Sequence, residues 1–492
     1  MPLTTFSFLL FLALLLAAYC LAGKRFRWPV LLAFSLAFFI YGSSPILLAL
    51  PLASTVSAYV ATLADSKQRA KGKSGKLLVG AAIALNVLLW LVFKGGGYWR
   101  PLFPTAPSLP AAIGMSYYVM QVIAYILDCH WDSIKPERNF LKLFLFVIFF
   151  PQMTSGPISR REDLSALYEG ARPSYENVTL GAQRIVWGFF KKLVISARIG
   201  AVVDMVYSDL GGMGGRWAAV AVILYPLQLY TDFSGCLDIV LGAAELFGIR
   251  LKENFNSPFF SRTVQEFWKR WHITLGSWSQ DYVLFPLLKS PAIISLGQKM
   301  KKRFGKRPGK LIPTEIGMFA SWMVMGIWHG SYKYWIGSGI WYWLVMLLSE
   351  LAKPLFKKLN ALLHIPEKSL AFHIFQSLRT YGIFCLSLVF FRSADIPQAL
   401  SVYAMLFGAM TGAAAPAVSL ALIHGKKLLL VSLAVLLAAS LLREKYGSAR
   451  IWLAKRPLPL RWAVYLALLF AVLLEGQYGP GFEAADFIYQ GF

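Results

Sequence analysis

The sequence predicts an all-α, polytopic integral membrane protein, and three observations carry that prediction. First, 57% of its residues are hydrophobic and only 15% are charged, against about 45–50% and about 25% in an ordinary soluble domain. Second, the apolar residues fall in long runs, as a bilayer requires of spanning helices. Third, the charge sits between those runs. The 49 Lys and Arg outnumber the 24 Asp and Glu to give +25, yet the basic residues gather in short connecting segments, the pattern of loops retained on the cytoplasmic side. That distribution argues against nucleic acid as the partner of so basic a chain and makes membrane lipid its surroundings.

Taken in order, the apolar stretches are 1–22, 29–50, 51–64, 77–93, 111–127, 140–151, 185–207, 217–231, 234–248, 311–330, 333–352, 371–391, 398–422, 428–442 and 459–475. Several are shorter than the ~20 residues a perpendicular span needs, which leaves about ten to twelve true spans with re-entrant and interfacial helices between them. The first stretch is followed by Lys24, Arg25 and Arg27 and preceded by no basic residue. That is the reverse of a signal peptide and reads as a retained helix entering from outside. The segments 67–76, with five positive charges, 299–310, with seven, and 443–461, with six, are expected in the cytoplasm. The Gly- and Pro-containing segment 95–110, with one charge, is expected outside. No hydrophilic domain or internal repeat appears, so residues 1–492 read as a single membrane-embedded domain rather than a transporter of paired halves. Cys20, Cys129, Cys236 and Cys385 are scattered in apolar sequence and read as small hydrophobes. No metal-binding spacing is present, so no metal site is expected.

Four segments carry polar chemistry. In TVQEFWKRWHITLGSWSQDYVLFPLL (263–288), helical winding puts Val264, Trp268, Trp271 and Leu275 on one face. Glu266, Lys269 and Arg270 fall on the other, with Glu266 and Arg270 spaced to pair. This predicts a helix lying in the membrane interface, with His272 at the border of its apolar face. Such a helix is either an anchor or part of a site. His329 lies in the apolar GIWHG, where an ionisable group normally faces the protein interior or a watery cavity. Gly326 and Gly330, four apart, would share a helix face and let a neighbouring backbone approach. The imidazole is either a packing group or a proton acceptor, and its ordinary pKa of about 6.5 suits the second role. Asp232, Asp238 and Glu245 are carboxylates in an apolar run, expected to pair with bases such as Arg198 or Arg250. In FFPQMTSGPISRRED (149–163), prolines, glycine and hydroxyl residues break the helix, which is tolerated at membrane depth only where backbone is buried or lines a cavity.

Read together, IGMSYYVMQVIAYILD (113–128), FFPQMTSGPISR (149–160), LYTDFSGCLDIVLGAAELFGIRLKENFNSPF (229–259), FWKRWHITLGSWSQDYVLFPL (267–287) and GIWHG (326–330) occur in an order that resembles the membrane-bound O-acyltransferases. Within that family the wording is most similar to the branch that acetylates bacterial polysaccharides, and the closing DFIYQGF (486–492) resembles that branch's aromatic tail. Gln280 before Asp281, the lack of a following glycine pair, and Lys333 depart from the family pattern.

The resemblance implies transfer of an acyl group, acetyl by preference, from a thioester such as acetyl-CoA on the cytoplasmic side of a bacterial inner membrane. The acceptor would be hydroxyls of an extracytoplasmic polysaccharide or cell-wall polymer. No tightly bound cofactor is implied, and a separate extracytoplasmic acyl-accepting or transferase protein is. His329 and His272 match the family's two histidines and would be catalytic. Trp268, Arg270, Trp271, Trp328, Asp232 and Ser234 would bind substrate. Two rivals remain: D-alanyl transfer to teichoic acid, in the same superfamily, and lipid or polysaccharide transport without covalent chemistry.

Overall fold

A computed structural model describes residues 2–103, 105, 109–408 and 416–479, with backbone alone over 416–424. The described residues form helices and no strand; one isolated antiparallel bridge joins Phe255 to Trp271. The all-α prediction holds. Eight described helices are long and apolar enough to cross a membrane, and two shorter apolar helices, Phe6–Leu21 and Ile396–Phe407, accompany them. The chain is thus a multi-pass membrane protein. The tail 486–492, residue 104, residues 106–108 of the segment expected outside, and residues 409–415 of the 398–422 stretch lie outside the described residues.

Packing divides the chain into two compact units. The first comprises Met1–Leu193, Asp232–Glu253 and Tyr465–Phe492. The second comprises Val194–Thr231 and Asn254–Val464.

In the first unit the broken segment is buried, as its prolines and glycine require. Residues 143–159 are buried without interruption. After the helix Phe140–Ile148 comes a single turn, Phe150–Met153, and then irregular backbone. Gln152 Nε2 donates to the Pro157 carbonyl at 3.3 Å and to Ser159 Oγ, so side chains take over bonding that a helix would have supplied. Gly114, at φ 75°, precedes the helix Met115–His130; a Cβ there would lie 2.3 Å from the Met153 carbonyl oxygen. Only glycine permits that approach in that conformation.

The helix Tyr175–Phe189 packs against the C-terminal part of the long helix Leu210–Leu246 through paired glycines. A Cβ on Gly181 would meet the Gly242 carbonyl at 2.7 Å, and one on Gly188 the Gly235 carbonyl at 2.6 Å. The seven-residue spacing matches on both helices, which lets two backbones touch over two turns. This close approach lies beside the polar cluster of the run 227–259. There Asp232 pairs with Lys192, Lys191 with Asp238 at 2.5 Å, and Arg184 with Asp238 at 2.9 Å and Glu253 at 2.7 Å. The expected pairing of the carboxylates occurs for Asp232 and Asp238, but through Lys191, Lys192 and Arg184 rather than Arg198 or Arg250. Lys191 and Lys192 lie on a π-helical segment, Phe190–Ser196, and reach different carboxylates.

In the second unit, the helices Lys306–Trp328 and Leu370–Arg392 flank the π-helical Trp335–Ile340. Glycines set these contacts too. A Cβ on Gly326 would lie 2.9 Å from the Tyr334 carbonyl oxygen, and one on Gly337 would lie 2.7 Å from Phe390 Cβ.

Candidate active site

Residues 263–288 do not form the single interfacial helix that their pattern predicts. A helix Val264–Arg270 ends at Trp271, which is extended (φ −115°, ψ 127°). His272 is left-handed (φ 46°, ψ 51°), and a second helix, Ile273–Ser279, begins after it. Trp268, Trp271 and Leu275 therefore do not share one helical face. The break comes from a pairing that helical periodicity cannot reveal. Asn256 N–H donates to the Arg270 carbonyl at 2.9 Å, and Ile273 N–H to the Asn254 carbonyl at 3.0 Å. The Thr274 backbone N–H and hydroxyl both donate to Asn254 Oδ1, at 2.8 and 2.7 Å. Residues 254–256 thus supply acceptors and donors that would otherwise come from within the helix. Nor is the segment a surface anchor, because Trp271, His272 and Leu275 are all buried.

A left-handed non-glycine residue stores about 1–3 kcal/mol, and such residues cluster at functional sites. Here the conformation turns the His272 ring toward Trp328, with centroids 6.1 Å apart and planes at 71°. Trp328 also packs on His329, with centroids 5.1 Å apart. His329 is close enough to act electrostatically on His272. The helix Lys306–Trp328 ends just before His329, and Gly330 follows at φ 87°. Gly326 and Gly330 consequently do not share a helix face. Gly326 provides the close backbone approach, while Gly330 provides the turn that carries His329 out of the helix. The remaining walls around His329 are Phe391, 5.1 Å away edge to face, and Tyr334, 5.5 Å away. Both imidazoles are buried, His272 at 1% and His329 at 5% exposure.

The other expected site residues separate into four settings. Trp328 packs against both histidines. Trp271 is fully buried among Phe255, Phe267 and Phe384, whose centroids lie 4.9–5.6 Å away, and Trp268 packs edge-on against Trp322 at 4.9 Å and Tyr342 at 4.7 Å. These two tryptophans hold the His272 turn in place. Arg270 makes the expected pair with Glu266 at 2.8 Å and also meets Glu444 at 2.5 Å. Its guanidinium is already matched by two carboxylates, and any donor anion would have to displace one of them. Asp232 and Ser234 belong to the first unit, where Asp232 holds Lys192 and Ser234 accepts a hydrogen bond from Lys191 Nζ at 2.8 Å. The histidines belong to the second unit.

Sequence reasoning passed over Asn254, Tyr334, Phe391 and the lysine pair. Two lysines inside VWGFFKKLVIS, opposite two aspartates inside another apolar run, were a legible signal of pairing. Phe391 and Tyr334 carried none, because an aromatic residue in a membrane helix is ordinary.

Among the described residues, no group of three or more His, Cys, Asp or Glu side chains is placed to hold a metal ion. The arrangement offers two buried imidazoles, able to accept or donate protons, set among aromatic rings. That suits proton transfer to and from a hydroxyl.

Comparison with known proteins bears on this chemistry. The family profile of the membrane-bound O-acyltransferases matches residues 104–297, a stretch that takes in His272 and ends before His329. A probable alginate O-acetylase of Pseudomonas syringae pv. tomato is 28% identical over 412 residues, covering 81% of this chain and 73% of that protein. A probable alginate O-acetylase of Pseudomonas putida is 30% identical over 353 residues, 68% of each chain. A teichoic acid D-alanyltransferase of Bacillus subtilis is 28% identical over 283 residues, 56% of this chain and 69% of that protein. Fold and similarity define a multi-pass membrane enzyme that transfers acyl groups to oxygen. The chain belongs to the membrane-bound O-acyltransferase family.

Proposed function

We infer that this enzyme takes an acetyl group from a cytosolic thioester, acetyl-CoA or another acyl thioester, across a bacterial inner membrane. The group is delivered to hydroxyls of an extracytoplasmic polysaccharide or cell-wall polymer, directly or through an extracytoplasmic acyl-accepting or transferase protein. The observation that carries this reading is the pair of buried imidazoles that both pack against Trp328. In the proposed step His329 removes the proton from the acceptor hydroxyl as its oxygen attacks the thioester carbonyl. The C–O bond forms, the C–S bond breaks, and the proton passes to the departing thiolate. General-base help of this kind is worth about 10²–10⁴-fold. His272 would donate to the developing oxyanion or orient the donor, a contribution of about 10²–10³-fold for a well-placed donor. Trp328 would hold the two rings at their spacing.

Acetyl is preferred to D-alanyl because the relatives named as alginate O-acetylases match 68–81% of the chain, against 56% for the D-alanyltransferase. The test is transfer of radiolabelled acetyl from acetyl-CoA by the purified protein in liposomes, with a polysaccharide or a carrier protein as acceptor. Covalent, base-labile label on the acceptor is expected. Label that crosses the membrane without becoming covalently attached would overturn the enzyme assignment in favour of transport. Labelling by D-alanine from its carrier, with none from acetyl donors, would move the reading to the D-alanyl class.

A further inference from the structure

A second group of polar side chains in the same unit as the histidines has no part in the proton chemistry. The short segment Phe260–Arg262 runs along the first turns of the helix Leu370–Arg392. Ser377 Oγ donates to the Phe260 carbonyl at 3.1 Å, and Arg379 Nη2 to the Arg262 carbonyl at 2.8 Å. Arg262 Nη1 donates to His373 Nε2 at 3.2 Å. A guanidinium can only donate, so His373 presents Nε2 as an acceptor and carries its proton on Nδ1. Glu266 takes the Arg262 backbone N–H on one oxygen and Arg270 on the other. Among the described residues neither the Arg262 nor the Arg379 guanidinium forms an ion pair. Two guanidinium groups gathered at three residues of backbone, neither of them in an ion pair, favour an anion, and the planar fork of arginine matches a phosphate.

The place of this cluster narrows the choice. Residues 254–270 are tied to the C-terminal end of the helix Gly425–Tyr446, through Arg443 Nε to Asn256 Oδ1 at 3.1 Å and through Arg270 to Glu444. That end opens the basic segment 443–461, expected on the cytoplasmic side. Arg379 and Phe391, which packs against His329, lie on one helix twelve residues apart. The separation is about 18 Å along the axis, comparable to an extended phosphopantetheine arm. The neighbouring Phe375 and Leu378 are exposed, so the cluster also borders lipid.

We propose that Arg262 and Arg379, with His373 orienting the first, form a phosphate-ester binding site. Two phosphate esters can reach it: that of a phosphopantetheine-type thioester, which rests on the donor reading above, and the headgroup of an anionic phospholipid.

The experiment uses the full chain in nanodiscs of phosphatidylcholine, with coenzyme A and pantetheine as probes. A second arm measures retained phosphatidylglycerol by native mass spectrometry. If the donor is the source, Arg262→Gln and Arg379→Gln each weaken coenzyme A binding about tenfold. Both leave pantetheine, which has the arm and lacks the phosphate, unaffected, and Arg379→Lys falls between. If the source is lipid, the same variants lose retained phosphatidylglycerol and bind coenzyme A as before. Monodisperse variants that change neither probe overturn the site, as does a wild-type chain that binds neither. Arginine-dependent coenzyme A binding in a protein that transfers no acetyl would preserve the site and defeat the acetyltransferase reading.

Discussion

The interiors of the two units treat buried polarity in opposite ways. In the first, Lys191, Lys192 and Arg184 face Asp232, Asp238 and Glu253, so these three bases each have an opposite charge beside them. In the second, the titratable groups at the centre are two imidazoles set among aromatic rings. A matched ion pair is locked, because separating it leaves an uncompensated charge in a medium that solvates it poorly. An imidazole can be neutral, so it persists among apolar walls without a counter-charge and keeps its capacity to take a proton. The first arrangement holds helices in register; the second leaves groups that can still take a proton. The same chain thus contains buried polar groups of both kinds, and burial by itself does not separate them.

Substitutions probe this contrast, beginning with the largest effect. His329→Ala should lower acyl transfer about 10²–10⁴-fold while the protein remains inserted and monodisperse. His272→Ala should lower it about 10²–10³-fold. Full activity in the His329 variant would sink the catalytic assignment. Because both rings are buried, their modification by diethylpyrocarbonate sharpens the point. Mass spectrometry should find His329 modified near neutral pH and protected by donor; a ring that no reagent reaches from either side of the bilayer would be packing.

In the first unit the response should be to stability. Asp232→Ala leaves Lys192 buried without this partner and should destabilise by about 3–5 kcal/mol, read as an earlier thermal transition in detergent. Asp232→Leu combined with Lys192→Met should recover most of that loss. If the double variant is no better than the single, the charges do more than match each other.

Gly326→Ala is expected to come next, at about 1–3 kcal/mol. The added methyl meets the Tyr334 carbonyl oxygen at 2.9 Å and pushes the π-helical segment away from the helix that carries His329. Activity should fall with stability here, unlike at Asp232. Arg270→Gln is smallest, about 0–1 kcal/mol, since its partly exposed carboxylate pairs resemble surface ion pairs. A rise in donor KM with stability unchanged would return Arg270 to the donor site.

The all-α, multi-pass architecture was legible because a bilayer demands long apolar runs, a local property of sequence. His329 was legible for a related reason: a titratable residue in such apolar surroundings is rare enough to notice, whereas His272, close to Lys269 and Arg270, was marked out by the family resemblance. The broken segment 149–160 announced itself through its prolines and glycine. The interruption at Trp271 did not. Its residues follow helical periodicity, and what breaks the helix is Asn254 and Asn256, separated from it in sequence and brought alongside by the tertiary fold. The Glu266–Arg270 pair was predictable from spacing along one helix, whereas Glu444, the second partner of Arg270, comes from a distant one.

Sequence by itself determined that this chain spans a membrane, that His329, in an apolar run, has to face the protein interior or a cavity, and that polar groups in apolar runs need partners. Each follows from the poor solvation of polar atoms by hydrocarbon, a constraint acting residue by residue. Only the tertiary structure decided which lysine meets which aspartate and where the helix yields to a left-handed histidine. It also brought both imidazoles against Trp328, because those outcomes depend on the directions of side chains brought together from distant parts of the chain.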